Sequence, residues 1–347
     1  MKTDHPKRIL IIGAGAIGGY VGGSLCALGH SVSLLCRPAT ADAVRKHGLH
    51  VKSQGADLHV HPDVFETPEP VFADGEIDLA IVAVKRYDTT AVVGPLSAWS
   101  HRIDWVLSLQ NGIGSENQLA GLLGRERVLP GTVTTAVRRA DRNTVVVEKL
   151  RGVGIAGSDR SAAAWAAEFD RAGLNCRLFQ RALDMEWSKL LTNLVANPTS
   201  AILDMPPPEI FAHKGLFRLE ILQLREALAV MRALSARVVD LPGTPVRILA
   251  FIAGRLPLPA ARLLLRRGLG GGRGGKMPSF HADLRRGDGC SEIGYYHGAV
   301  VRAADRLRIP VPVNRLLTEI FTDILINRIP TDSYSRLPEK LLDHLRT

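Results

Sequence analysis

Lys189, Asn193 and Asn197 recur at intervals of four in the stretch Glu186-Trp187-Ser188-Lys189-Leu190-Leu191-Thr192-Asn193-Leu194-Val195-Ala196-Asn197-Pro198. On an α-helix each step of four rotates the position by only about 40°, so the three share one stripe. Leu190, Leu191, Leu194, Val195 and Ala196 supply the apolar faces around it. A lysine and two amides on one stripe suit a polar substrate that gains negative charge on oxygen. The ammonium can stabilise that charge and give up a proton, and the asparagines can orient the substrate without adding charge. A face turned to water is the other reading of the same pattern. For acid work the lysine must fall from its ordinary value of about 10.4, through desolvation or neighbouring cations. Pro198 disfavours helical backbone at Asn197, so the stripe is predicted to end there.

A second constellation lies near the N-terminus. Gly13, Ala14, Gly15, Ala16, Ile17 and Gly18 spell GxGxxG between a β-branched apolar run at 9–12 and a small-residue stretch reaching about residue 28. Gly13 permits the tight turn, Gly15 lets a pyrophosphate approach the backbone, and Gly18 permits close packing of helix on sheet. The helix N-terminus then offers free amides to the phosphate. These features predict a dinucleotide site. The end of the following strand reads Leu34-Leu35-Cys36-Arg37-Pro38, without the acid that holds the ribose hydroxyls in a typical NAD site. Arg37 can instead pair with a 2′-phosphate through its fork of donors, so NADP(H) is the expected cofactor. His30 is a weaker candidate for the same task.

The elements needed to position these groups are legible in outline. Strands are predicted at 9–12, 30–36, 79–84, 105–110, 128–137, 143–149, 153–156 and 176–179. Helices are predicted from the glycine turn at 13–19 to about residue 28, from about 115 to 123, and near 161–172. The continuous apolar run at 79–84 ends in Lys85, and the next strand runs into Asn111-Gly112. After about residue 180 the grammar changes to helix-like spacing at 184–197, 209–238, 292–307 and 312–328. The segment 268–275, GLGGGRGG, reads as a hinge or loop. The expectation is an α/β Rossmann-like cofactor domain over 1–180, followed by an all-helical substrate-binding and catalytic domain over 181–347.

Composition narrows the classes. Among 347 residues, 44 Lys and Arg against 34 Asp and Glu give a net charge of +10. Residues 254–286 hold eight of the cations and one acid, Asp283, so the excess is concentrated rather than spread as a nucleic-acid footprint. The four cysteines are scattered without metal-ligand spacing, which argues against a zinc site and a disulfide scaffold. No metal is expected. No cleavable leader and no apolar run of about 18 residues are seen, which predicts a soluble cytoplasmic protein.

The chain resembles the 2-dehydropantoate 2-reductase (ketopantoate reductase) family. The motifs are the glycine turn at 13–19, Val84-Lys85, Gln110-Asn111-Gly112, and Lys189-x-x-x-Asn193-x-x-x-Asn197-Pro198. Pro278-Ser279, Asp283, Arg286-Gly287, Ser291-Glu292-Ile293-Gly294-Tyr295, Gly298 and Pro310-x-Pro312-x-Asn314 follow in order. The resemblance implies NADPH-dependent reduction of 2-dehydropantoate to (R)-pantoate, on the way to pantothenate and coenzyme A. It implies a helical C-terminal arrangement like that of 6-phosphogluconate dehydrogenase, with substrate between the two domains, and a homodimer. It makes Lys189 the general acid, and Asn193 and Asn197 substrate contacts. Ser279 contacts the substrate carboxylate, and Glu292 holds the substrate hydroxyl and orders the site. Lys85 and Asn111 fall near the nicotinamide, and Asn111 near the substrate too. Asp283 reads as structural, a charge at a helix N-terminus.

Three features depart from that pattern. Pro207 falls where some pantoate enzymes place another asparagine, and proline has no such donor. The stretch from Ser279 to Glu292 is one residue longer than usual; a loop would absorb this, whereas a continuous helix would turn Glu292 by about 100°. The segment 254–276 is a basic insertion, read first as an oligomer or domain-edge element. A cleft cover and a nucleic-acid or membrane contact are the other readings. A small 2-oxo acid is the expected partner, and no nucleic acid or membrane. The competing functions are reduction of a different 2-oxo acid and a non-catalytic NADP-binding regulator.

Overall fold

The run 9–12 is apolar at every position because the strand it forms is covered on both faces. In the computed structural model, which describes residues 5–55, 57–272 and 276–345 (side chains of 266–272 excepted), Ile9 and Ile11 enter one core. Leu10 and Ile12 enter another. This two-faced burial is what separates a parallel-sheet strand from an alternating one.

The first of two compact units comprises Met1–Glu186 and Leu241–Thr244. Its order is β1 (Arg8–Ile12), α1 (Ala16–Leu28), β2 (Ser31–Leu35), α2 (Pro38–His47), β3 (Leu49–Lys52), β4 (Leu58–Val60), β5 (Asp63–Phe65), β6 (Ile77–Val82), α3 (Thr89–Val93), β7 (Ile103–Ser108), α4 (Ser115–Leu123), β8 (Val128–Val133), β9 (Ala136–Asp141), β10 (Thr144–Lys149), β11 (Val153–Ala156), α5 (Arg160–Arg171) and β12 (Cys176–Phe179). Eight strands form one sheet in the order β12-β11-β8-β7-β6-β1-β2-β5, parallel throughout except where β11 meets β8. From β5 to β8 this is the doubly wound order of a Rossmann-like domain, with the chain reversing direction across the sheet between β1 and β6. A smaller sheet, β4-β3-β10-β9, lies against α1, where Val145 packs over Gly19 and Val51 over Gly23.

The second unit comprises Trp187–Asp240 and Pro245–Thr347. Helix α6 (Ala182–Leu194) starts in the first unit and ends in this one. Then follow α7 (Asn197–Leu203), α8 (Pro207–Ala212), α9 (Lys214–Ala233), α10 (Val246–Arg255), α11 (Leu258–Gly272), α12 (Ser279–Arg286), α13 (His297–Leu307), α14 (Pro312–Leu325) and α15 (Pro338–Asp343). The architecture is thus a Rossmann-like unit followed by a helical one.

Several boundaries differ from the sequence expectation for identifiable reasons. The single strand expected at 128–137 is two strands in two sheets. At the break, Thr134 Oγ1 donates to the carbonyls of Gly152 (3.0 Å) and Pro242 (2.8 Å), and Thr135 Oγ1 accepts from Arg151 N (3.1 Å) and Gly152 N (2.8 Å). These hydroxyls satisfy backbone groups locally and let the chain change sheets. The region 38–65 gave no sequence assignment; α2 and three strands of three or four residues lie there, too short for a periodicity to emerge. The glycine-rich segment expected as a loop continues α11 as far as Gly272, while 273–275 lie outside the described residues.

Candidate active site

The glycine turn divides its work as the residue types require. Gly13 has φ +98°, and a Cβ there would sit 2.6 Å from Val84 Cγ1. At Gly18 a Cβ would lie 2.0 Å from the Gly13 carbonyl oxygen, so α1 can approach the turn only without one. Gly15, the N-cap of α1, has nothing within 4 Å of the same position. The open space therefore falls where the helix N-terminus has unsatisfied amides, with Ala16 and Ile17 half-buried behind it. Ala14 is buried against the core. This cradle could hold a pyrophosphate.

Arg37 follows β2 as the N-cap of α2. Its side chain is 90% exposed, 3.9 Å from the Asp88 carboxylate. A second guanidinium, Arg139 of β9, donates to Thr40 Oγ1 in the first turn of α2 at 2.8 Å. His30 is placed otherwise. It is buried before β2, at the far end of the strand from Arg37; its Nδ1 accepts from Lys7 N (3.1 Å) and its Nε2 meets Glu168 Oε2 (3.2 Å). Both ring nitrogens serve the fold there, so the cofactor role considered for His30 is withdrawn.

Lys85 and Asn111 stand just beyond the carboxyl ends of β6 and β7, both half-buried. Gln110 ties these two loops, donating from Nε2 to the Val84 carbonyl (2.9 Å) and to Thr89 Oγ1 (2.8 Å). Buried Arg86 reaches the Gly114 carbonyl at 3.3 Å. Glu186, in the same unit, is pushed well above the usual carboxylate range by burial and by its hydrogen-bonded neighbour Glu116, against the pull of Arg86. The sequence reading singled out neither Arg86 nor Glu186. For Glu186 the signal was available only as charge in an otherwise buried stretch of α6.

In the second unit Lys189 and Asn193 lie half-buried on α6. The helix does not run on to Asn197 as expected: it stops at Leu194, Ala196 adopts a left-handed backbone (φ 53°), and Asn197 opens α7. The break is held by Glu220 of α9, 1% exposed. Its Oε2 accepts from Ala196 N (2.7 Å) and Gln223 Nε2 (2.5 Å), and its Oε1 from Thr199 Oγ1 (2.6 Å). Glu220 was also missed, because nothing in its spacing marks it.

Asn197 is buried, and both heavy atoms of its amide are engaged. Nδ2 donates to the Asn193 carbonyl, and Oδ1 accepts the N–H of Phe280, both at 3.2 Å. Ser279, exposed, begins α12 immediately before that amide. Asp204, at the end of α7, pairs with His281 (2.8 Å) and Arg285 (3.0 Å), which fastens the same two helices a second time. Lys189, Asn193, Asn197 and Ser279 are thus linked through three helices of one unit.

Glu292 is 2% exposed and enters this unit after a loop. Helix α12 ends at Gly287 (φ 67°), and Gly289 repeats the left-handed turn (φ 69°). The additional residue noted in the sequence therefore falls in a loop and imposes no helical rotation on Glu292. Asp283 and Arg286 shape the loop. Asp283 accepts from Arg286 Nη1 (2.9 Å) and Ser291 Oγ (3.0 Å), while Arg286 also reaches Asp288 Oδ2 (2.8 Å) and the Cys290 carbonyl (3.1 Å). Asp283 is the fifth residue of α12, so it acts as a loop anchor and not as an N-terminal helix charge.

A glycine cradle on a doubly wound sheet, joined to a helical unit with a lysine and asparagines on one helix, defines a dinucleotide-linked oxidoreductase class. Family comparison narrows this. The "Ketopantoate reductase PanE/ApbA" model matches residues 9–158, and its C-terminal counterpart matches residues 181–324. The chain belongs to the ketopantoate reductase family. It is 27% identical over 330 residues to the 2-dehydropantoate 2-reductase of Halobacterium salinarum, spanning 90% of this chain and 97% of that enzyme. It is 32% identical over 203 residues to that of Pyrococcus horikoshii, a match covering 57% of this chain and 64% of that enzyme. Among solved structures, the PanE/ApbA family ketopantoate reductase of Ralstonia eutropha superposes with TM-score 0.77 at 28% identity, covering 92% of this chain and 99% of that one. D-mandelate dehydrogenase, in two structures solved with NADH, shares the fold at 20% identity (TM-scores 0.73 and 0.72, covering 92% of this chain and 98% and 99% of the other).

Proposed function

We propose that this chain catalyses the NADPH-dependent reduction of 2-dehydropantoate to (R)-pantoate, a step toward pantothenate and coenzyme A. Family membership along both units supports the reading. One observation carries it: the Asn197 amide ties the helix bearing Lys189 and Asn193 to the helix opened by Ser279. In this reading residues 1–180 bind NADP(H) and residues 181–347 bind substrate and perform proton transfer. The turn of Gly13, Ala14, Gly15, Ala16, Ile17 and Gly18 takes the pyrophosphate, and Arg37 the 2′-phosphate. Lys85 and Asn111, beyond the carboxyl ends of their strands, serve the nicotinamide end.

When bound, NADPH supplies the hydride. Lys189 offsets the negative charge developing on the ketone oxygen and gives it a proton. Asn193 and Asn197 hold polar groups of the substrate, Asn197 through the second hydrogen of Nδ2. Ser279 donates to the carboxylate, and Glu292 accepts from the terminal hydroxyl. The enzyme is proposed to act in the cytoplasm as a homodimer.

NADPH oxidation against a panel of 2-oxo acids tests this, with Lys189→Ala as control. The variant should fold and lose kcat by about 10²- to 10⁴-fold, the usual weight of general acid catalysis. Near-normal turnover rejects Lys189 as the acid. Pro207 favours one second reading, reduction of a different 2-oxo acid: it opens α8 and brings no amide to the substrate. The same panel separates the two.

A further inference from the structure

From Leu241 to Ala282 the chain carries seven Lys or Arg residues and not one Asp or Glu. Helices α10 and α11 lie in this run, and they expose large apolar side chains. Ile248 is 60% exposed, Phe251 58%, Leu263 70% and Leu264 52%. These are half of the large hydrophobics exposed among the described residues, gathered within two consecutive helices.

The exposure follows the helical period. On α10, buried Val246 and Ala253 lie on one side, whereas Ile248, Phe251 and Arg255 fall at i, i+3 and i+7 on the opposite side, bordered by buried Ile252 and by exposed Arg247. On α11, Ala261 and Leu265 are buried, and Leu263 and Leu264 turn outward. The helices are anchored. Arg225 of α9 donates from Nε to the Ala253 carbonyl and from Nη2 to the Leu256 carbonyl, both at 2.8 Å, and Arg262 bonds the Ala212 carbonyl.

We propose that this α10–α11 face docks on a lipid bilayer carrying anionic headgroups. Intermixed guanidiniums and exposed Phe, Leu and Ile suit that surface: the cations meet lipid phosphates while the apolar side chains enter the boundary below them. No helix among the described residues is long and apolar enough to cross a membrane, so the contact is peripheral. Charge argues against a second copy as the occupant, because a two-fold interface would set exposed Arg247 and Arg255 against their own copies with no acid on either helix to offset them. The sequence reading left a membrane contact as a lesser alternative for the basic insertion and expected no membrane partner; the exposed apolar stripes add what charge alone lacked.

The test uses the full chain in co-sedimentation with phosphatidylcholine vesicles, with or without about one third phosphatidylglycerol. Binding to the anionic vesicles should exceed binding to the neutral ones by about tenfold or more and should weaken with added salt. The double substitution Phe251→Ser, Leu264→Ser should lower binding by about tenfold or more while thermal melting and NADPH-linked turnover in solution stay unchanged. No binding to anionic vesicles, equal binding to both compositions, or full binding by the double variant each overturns the proposal. So does a dimer that the double substitution splits in sedimentation velocity without any vesicle binding, which would assign the face to self-association.

Discussion

The Asn197 side chain accepts the N–H of Phe280 at 3.2 Å and donates to the carbonyl of Asn193 at the same distance. One buried amide therefore closes the end of α6 and opens α12, fixing Asn193 relative to Ser279. Replacing it by alanine leaves a buried carbonyl and a buried N–H without these partners, at about 1–3 kcal/mol. Asn197→Asp keeps the acceptor for Phe280 but sets a carboxylate against the Asn193 carbonyl. Both variants should lose turnover; only the alanine variant should lose the bond to Phe280. Denaturant unfolding with steady-state kinetics checks this, and an alanine variant of wild-type stability and kcat would show the link to be dispensable.

Glu220 governs the break that makes Asn197 available. It is the acceptor for Ala196 N–H, the Thr199 hydroxyl and the Gln223 amide in a site with almost no exposure. Glu220→Ala strands all three donors and should cost about 3–5 kcal/mol, since each buried donor left unsatisfied costs about 1–3 kcal/mol. Glu220→Gln retains one acceptor oxygen and should cost less. A urea titration giving the two variants equal midpoints would contradict the assignment of separate oxygens to separate donors.

Glycines 15 and 18 make a paired test of the cradle. Gly18→Ala places its Cβ 2.0 Å from the Gly13 carbonyl oxygen, a backbone atom that cannot step aside, so it should destabilise the first unit and weaken cofactor binding together. Gly15→Ala meets nothing within 4 Å and keeps a φ of −81° that alanine accepts. It should melt like wild type and raise the KM for NADPH about tenfold or more, because the methyl occupies space a phosphate needs. A stability loss at Gly15 would mean the turn is closed by the chain itself.

The sequence made some of this legible and could not make the rest so. The strand at 9–12, the glycine turn and the Lys189–Asn193 part of the stripe were readable because their signals are local: burial on both faces, GxGxxG, and a spacing of four. The end of α6 was misplaced by a few residues because Pro198 is a local signal, whereas the actual break depends on Glu220, 24 residues away. His30 was considered for the cofactor because sequence placed it beside a strand but could not say that Lys7 N and Glu168 already occupy its ring. The loop at 287–292 was recognised only as an alternative, since Asp283 and Arg286 hold it through side chains that no spacing rule pairs.

His297 supplies a pH test. It is fully buried, its Nδ1 bonded to Asn314 Oδ1 at 3.0 Å, and burial pulls it from 6.5 down to about 3. Asn314 Nδ2 donates to the Gln223 carbonyl and to Glu226, so Oδ1 is the acceptor and His297 Nδ1 carries the proton. The folded state holds this ring neutral while the unfolded chain protonates it below 6.5. Stability from this group is complete above about pH 6.5 and should fall by about 1.4 kcal/mol per unit as pH drops toward 3. His297→Gln keeps a donor for Asn314 and removes the titration. Its stability should therefore decline less steeply between pH 6 and pH 4 than that of wild type; parallel slopes in denaturant titrations would assign the acid sensitivity elsewhere.

Arg37 allows cofactor choice to be separated from folding. Its side chain is 90% exposed and its contact with Asp88 is 3.9 Å, a surface pair of little weight for stability. Arg37→Ala should leave the melting temperature unchanged. If the guanidinium receives the 2′-phosphate, the KM for NADPH should rise about tenfold or more, the scale of a lost charge-assisted pair, while that for NADH stays put. The sign is what matters: a variant that loses NADH and NADPH equally has lost something common to both, and the phosphate role then fails. A wild-type enzyme that prefers NADH would fail it earlier, since an arginine in this place would then be serving neither ribose hydroxyls nor phosphate.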